Sequence, residues 1–347
     1  MTHDRPTMMT AVRWHAAGDV RAERVPRPET TGPGELLIAV DACGICGTDI
    51  EEWRHGPIDI AVDRHPLTRR QAPLTLGHEF CGTVASAGPG TTLRAGTRVA
   101  VEVNLSCGTC ARCASGDTQL CPRLGSLGLH GDGGLAEAAV VPESVCVPLP
   151  DDLPTLRAVL AEPLAVAVRA VRLAGVRAGE SVTVLGGGAI GQLAARVAAH
   201  TGAAVRLAEP RPPRRRAAER AGLRTAGTHT ALPDDADAAI DCAGYPGSAA
   251  DAMATTRPGG RTALVGVSTG RLGLTAWDVI RRERHLLGVL SHTMSDFTAA
   301  VHLLATGAID VSGLVTDVVP LSAAIDDAFV PLRDAPGDRI KTVIVPG

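Results

Sequence analysis

Aromatic side chains are scarce in this chain, with one Tyr, three Phe and three Trp among 347 residues. Surfaces that stack bases need more rings than that, and a formal net charge of −3 offers no basic field for nucleic acid or anionic lipid. No apolar run reaches the roughly 18 to 20 residues that a membrane-spanning helix needs. The opening residues are polar and include His3, Asp4 and Arg5, so no secretory leader is expected, and Met8 or Met9 is an alternative start to Met1. The expectation is a cytoplasmic chain whose nine cysteines are thiolates rather than disulfides, with neither nucleic acid nor membrane as partner.

What is present suggests about two domains with ample core, at 45% hydrophobic and 20% charged residues. The first third is β-rich. Alternating apolar residues at Glu35 to Val40, Thr83 to Ala85 and Thr97 to Val101 are broken by clusters such as Thr31-Gly32-Pro33-Gly34 and Gly88-Pro89-Gly90. Short strands at that spacing suggest an irregular barrel. Between Trp53 and Gly77 lies a long excursion rich in Pro and His, of a length that usually serves function.

Three separated stretches offer metal-ligand chemistry. Cys46 sits in Cys43 to Asp49, CGICGTD; His78 and Glu79 follow Gly77; Glu162 opens a helical-looking segment. Cys, His and carboxylate together suit zinc with one position left open, as in a catalytic site. A second set is more compact. Cys107, Cys110, Cys113 and Cys121 are spaced C-x2-C-x2-C-x7-C on a polar segment and match a closed tetrahedral zinc that holds a loop lacking its own core. The rival is an iron–sulfur cluster, which Pro122 fits and the long final spacing does not.

From about Leu156 helices alternate with strands. Ser181 to Leu185 reads as a buried strand, followed at once by Gly186-Gly187-Gly188-Ala189-Ile190-Gly191 and a helix through Ala199. This is GxGxxG between a strand and a helix, the setting in which glycines admit a dinucleotide pyrophosphate. The next strand, Ala204 to Ala208, ends in Glu209, placed to accept from ribose hydroxyls, which favours NAD over NADP. Arg211, Arg214, Arg215 and Arg216 qualify that preference, since an arginine there can hold a 2′-phosphate; most of them read as solvated helix residues. Further strands at Ala238 to Ala243, Arg261 to Val267 and Leu286 to Leu290 point to a six-stranded parallel sheet.

Over nearly its whole length the chain resembles the zinc-dependent medium-chain dehydrogenases, nearest the branch of 2,3-butanediol, sorbitol and threonine dehydrogenases. The likeness rests on GICGTD at Gly44 to Asp49, HPLT at His65 to Thr68, APLTLGHEF at Ala72 to Phe80, the four-cysteine lobe, EPLAVAV at Glu162 to Val168, the glycine loop, DCAG at Asp241 to Gly244, and the ending from Asp296 to Val345. It implies an α/β protein: a GroES-like catalytic domain at 1–160 with a zinc lobe at about 104–123, a doubly wound Rossmann domain at 161–295, and a return to the first domain at 296–347. It implies two zincs per chain and a secondary alcohol or its ketone as substrate, such as a vicinal diol, polyol or cyclitol, oxidised by hydride transfer to NAD, NADP being the lesser candidate.

Carried over by residue, the resemblance makes Cys46, His78 and Glu162 catalytic-zinc ligands, with Glu79 an exchanging ligand or a group standing behind them. Thr48 becomes the hydroxyl beside the substrate oxygen, and Asp49 fixes the loop or a ligand histidine. Cofactor contacts are implied for Gly186, Gly188, Ala189, Ile190, Gly191, Glu209, Arg214, Cys242 and Val265. The chain departs from the branch at Glu51, where relatives carry a relay His; a carboxylate can still take a proton, or merely solvate a helix. It departs again at Arg169 and in the short segment Thr228 to Asp237. Cys43, Cys81, Cys146 and Cys242 fall outside the metal patterns and read as small core residues. Trp53 and Ile58 suggest an apolar pocket wall, and His130 or Arg123 a polar contact. A homodimer or homotetramer is implied, by edge pairing around Leu286 to Leu290. The other readings are a redox-neutral reaction with bound NAD on a specialised substrate, and a cofactor-binding protein without turnover.

Overall fold

A computed structural model describes residues 7–28, 32–267 and 270–347; His3, Asp4, Arg5 and Thr31 of the sequence reading lie outside them. The chain divides into two units. One comprises Met1–Glu162, Asp317–Gly337 and Thr342–Gly347, and the other Pro163–Thr316 with Asp338–Lys341.

The first unit is the β-rich one. Its central strand, Glu35–Gly44, buries Leu36, Ile38, Val40 and Ala42 at a period of two and pairs antiparallel with Phe80–Ala87, Ala138–Pro142 and the returning Lys341–Val345. Trp14, Leu36, Ile38, Val99 and Phe329 share one apolar core. The return strand passes close to the candidate metal site: Val343 stands opposite Gly44, and Ile45 N–H donates to the Thr342 carbonyl at 3.0 Å.

Helix Gly47–His55 follows that central strand. Its Glu52 is fully buried and accepts backbone N–H groups from Ile58, Asp59 and Ile60 at 2.9, 2.5 and 3.1 Å, so one carboxylate ties down the start of the long excursion. Between the paired two-residue strands Asn104–Leu105 and Gly125–Ser126 lies the four-cysteine lobe. Helix Ala111–Ala114 buries no residue, and Leu120 is 44% exposed, so the lobe has no apolar core.

In the second unit six strands run parallel in the order Arg224–Ala226, Ala204–Ala208, Ser181–Leu185, Ala236–Asp241, Thr256–Leu264, His285–Gly288. Ser181–Leu185 is buried on both faces, as a parallel sheet covered by helices requires, which is why its sequence is a run rather than an alternation. Helix Met294–Ala305 also belongs to this unit. Its Asp296, buried, caps the helix through Thr293 and binds Arg172 at 3.0 Å and Arg169 at 3.4 Å. Arg169, one of the departures, is thus engaged in a buried ion pair.

Candidate metal and cofactor sites

Cys46 stands in extended backbone (φ −91°, ψ 157°) where the central strand hands over to helix Gly47–His55. Three residues on, Asp49 Oδ2 accepts the Cys46 N–H at 2.9 Å, so the helix start itself holds the cysteine. The other oxygen of Asp49, which is fully buried, lies 3.5 Å from His78 Nδ1. One carboxylate therefore holds the backbone of one ligand candidate and sets its charge beside the ring of the other. A Cβ on Gly44 would overlap the Glu79 carboxylate, so glycine there leaves that carboxylate its present place. Cys46, His78 and Glu79 bring one ligand atom each to within 4.8 Å of one another. Glu162 is buried at the start of helix Ala161–Leu173, outside that set of three.

Charge supports a cation at this point. Burial by itself lowers the pKa of His78, yet Asp49, Cys46 and Glu162 hold it well above the ordinary imidazole value. An imidazole set among the Cys46 sulfur and the buried carboxylates of Asp49, Glu79 and Glu162 is a donor set that fits zinc. Thr48 Oγ1 lies 3.7 Å from Cys46 Sγ. Glu51 points away towards solvent at 47% side-chain exposure, 3.4 Å from Arg54 and 3.9 Å from His55. Trp53 is a core residue at 4% exposure, set edge-on to Phe329 with the Arg333 guanidinium 4.3 Å from its ring centre. Ile58 is 52% exposed. His130 pairs with His65, ring centres 4.6 Å apart.

The four cysteines of the lobe also converge. Sulfur separations are 3.5 Å for Cys110 to Cys113, 3.9 Å for Cys110 to Cys121 and 3.9 Å for Cys107 to Cys113. A tetrahedron with zinc–sulfur bonds of about 2.3 Å has edges of roughly 3.8 Å, so the thiols already span a zinc site. Hydrogen bonds from Thr109, and next from Arg123, pull the pKa of Cys107 down to about 5. Arg123, read from the sequence as a candidate pocket residue, belongs to the surroundings of this lobe: its Nη2 donates to Thr109 at 3.2 Å. The remaining thiols differ. Burial first pushes Cys81 and Cys146 up to about 12 and raises Cys43 and Cys242, which suits unreactive thiols.

In the second unit the strand Ser181–Leu185 ends in Gly186 at φ +90°, a conformation glycine adopts freely. A Cβ on Gly191 would collide with the Gly186 carbonyl, so helix Ala189–His200 can approach the turn only because that position is glycine. Glu209, 4% exposed, accepts Gly187 N–H at 2.7 Å on one oxygen and Arg211 N–H at 2.9 Å on the other. These groups border a cavity of about 570 Å³. Gly186, Gly188, Glu209, Arg214 and Cys242 line it; Ala189, Ile190, Gly191 and Val265 are not among its lining residues. Thr228, His229 and Tyr245 are also part of the wall, and the sequence reading assigns none of the three as a contact. The usable signal was position, since each follows the end of a parallel strand.

A β-rich unit with a Cys/His/Glu set and a parallel sheet with a dinucleotide turn define a metal-using nicotinamide oxidoreductase. Family models agree: residues 32–151 match the alcohol dehydrogenase GroES-like domain and residues 189–306 the zinc-binding dehydrogenase domain. The chain belongs to the zinc-dependent medium-chain dehydrogenases of the alcohol dehydrogenase superfamily. It is 34% identical over 335 residues to (R,R)-butanediol dehydrogenase of Bacillus subtilis, covering 92% of this chain and 95% of that one. The crystal structure of 2R,3R-butanediol dehydrogenase from Bacillus subtilis superposes with a TM-score of 0.88 at 32% identity, over 98% of this chain and 100% of that one. A protein of Aspergillus terreus named "Probable D-xylulose reductase A" is 32% identical, over 94% of each chain. A Sinorhizobium meliloti protein crystallised bound to NADP gives a TM-score of 0.88 at 32% identity, over 98% and 100% of the two chains. The chain is accordingly a zinc- and NAD(P)-dependent alcohol dehydrogenase in the broad sense of that family.

Proposed function

We propose that the protein oxidises a vicinal diol or polyol at one secondary hydroxyl, or reduces the matching ketone, with NAD as the preferred acceptor. The observation that carries this is the convergence of Cys46, His78 and Glu79 within 4.8 Å, in a chain similar to butanediol and xylulose enzymes. Zinc, when bound, supplies a Lewis acid for the substrate oxygen, and the nicotinamide supplies the hydride acceptor. Cys46 and His78 would hold the metal together with Glu79 or Glu162. Asp49 keeps the His78 ring and the Cys46 backbone in place. Thr48 Oγ1 is the hydroxyl near Cys46 that can take up the alcohol proton, and Glu51 lies three residues further along the same helix, towards solvent. NADH formation across vicinal diols, polyols and cyclitols tests the substrate class. Turnover of simple primary alcohols alone would overturn it.

The preference for NAD has its own geometry. Arg214 donates to the Arg339 carbonyl, and Arg215 donates to the Glu209 and Pro210 carbonyls at 2.7 and 2.8 Å, so both guanidiniums are engaged with backbone while Glu209 presents a negative charge. Glu209→Ala is expected to raise the Kd for NAD roughly tenfold, the value of a hydrogen bond to a charged group, and to leave that for NADP equal or improved. Equal losses for both would contradict the assignment.

A homodimer or homotetramer is the quaternary reading. The edge strand His285–Gly288 has one sheet neighbour, and Val267, Trp277, Ile280 and Leu290 nearby in sequence are 84, 63, 64 and 53% exposed. Light scattering on a gel-filtration column should give at least twice the chain mass. A monomer at micromolar concentration would overturn it.

A further inference from the structure

His65 and His130 lie outside both metal sets, their rings tilted at 54° with centres 4.6 Å apart. Both ring nitrogens of His65 are used. Nδ1 accepts the amide N–H groups of Leu67 and Thr68 at 3.4 and 3.3 Å, and Nε2 lies 3.1 Å from the Leu124 carbonyl oxygen. Amides only donate and a carbonyl only accepts, so the ring is neutral with its proton on Nε2. Burial lowers the pKa of His65, which keeps it in that state at neutral pH.

Leu124 is three residues past Cys121 and leads into the lobe strand Gly125–Ser126. A Cβ on Gly125 would come within 3.0 Å of Thr68 and 3.2 Å of the His65 ring, so the foot of the lobe rests on His65 this closely because that position is glycine. On the far side Thr68 Oγ1 donates to the His130 carbonyl. His130 is bound to the lobe strand as well: its N–H donates to the Ser126 carbonyl at 2.7 Å, and its Nδ1 accepts Ser126 N–H at 3.2 Å. The loop that carries His130 packs on Gly77. Gly134 N–H donates to the Gly77 carbonyl at 2.8 Å, and a Cβ on Gly128 would fall 2.7 Å from that oxygen. Gly77 is the residue before His78, and all of these groups belong to the first unit.

We propose that His65 is a positioning residue for the catalytic-metal site, passing the order of the four-cysteine lobe through the His130 loop to His78. Loss of metal from the lobe then loosens the metal at Cys46 and His78, although the two ligand sets share no residue. Groups standing behind a metal ligand carry roughly ten- to a hundredfold in affinity, and His65 stands behind the loop that seats one. The inference rests on the reading of two zincs per chain and adds to it a coupling between them.

The test follows cobalt(II) in the full-length chain, read as the thiolate charge-transfer band that Cys46→Ser removes. His65→Asn keeps an acceptor at the place of Nδ1 and loses the bond to Leu124, whereas His65→Gln keeps a donor at the place of Nε2. His65→Asn should weaken cobalt at the Cys46 site roughly tenfold and shift the band, and His65→Gln should recover most of the affinity. Gly125→Ala, which wedges the lobe off His65, should weaken it in the same direction. Cys110→Ser should weaken it too, and the loss in the Cys110→Ser, His65→Asn double variant should equal that of either single variant rather than their sum. Parent affinity in folded His65→Asn and Gly125→Ala, or losses that add in the double variant, overturns the coupling and leaves both zinc sites as read. A parent chain without a band that depends on Cys46 overturns the zinc reading itself.

Discussion

Cys46→Ser is expected to lower kcat/KM by roughly a thousandfold, because several kcal/mol of stabilisation at the reacting oxygen depend on the metal that this thiol would hold. The fold should survive. Cys46 is half-buried, serine has nearly its shape, and the Asp49 bond that fixes residue 46 is made to its backbone N–H. Circular dichroism and Tm should therefore stay close to the parent while one equivalent of zinc is lost. Glu79→Ala should behave similarly, since its carboxylate shares the 4.8 Å set, and Glu162→Ala is expected to abolish turnover too. An unchanged rate in Cys46→Ser would mean that hydride transfer here proceeds without a metal at this place.

Cys110→Ser should do the opposite. The lobe between Asn104–Leu105 and Gly125–Ser126 has no apolar core, so its order depends on the metal that four sulfurs enclose. Loss of a ligand is expected to lower Tm by roughly 5 to 10 °C and to expose the lobe to trypsin, with Arg112, 59% exposed, as the first site cut. Turnover measured below the new melting temperature should fall far less than in Cys46→Ser. A variant with parent Tm and parent proteolysis would show that the lobe holds itself together without metal.

The sequence was most legible where chemistry demands a spacing. The four cysteines and the GxGxxG turn were readable because ligand geometry and close backbone approach each tolerate few residue types, and the structure brings both sets together. Strand Arg224–Ala226 gives no sequence signal, being three residues long with two of them polar, yet it makes the sixth strand and leads to His229. Glu51 and Glu52 are adjacent and alike on paper. Burial separates them: Glu52 is inside, holding a loop by three amides, and Glu51 is outside with Arg54 and His55. Trp53 was read as a pocket wall from its place in the chain, but Phe329, far along the sequence, closes over it as core. Contacts of that range leave no local signal.

The most direct test of the account is zinc per chain in the parent, Cys46→Ser and Cys110→Ser proteins, measured alongside NADH formation from a vicinal diol. The account expects two zincs in the parent and one in each variant, with hydride transfer lost in Cys46→Ser alone. Zinc bound at the four-cysteine lobe only, with diol oxidation intact in both variants, would contradict it.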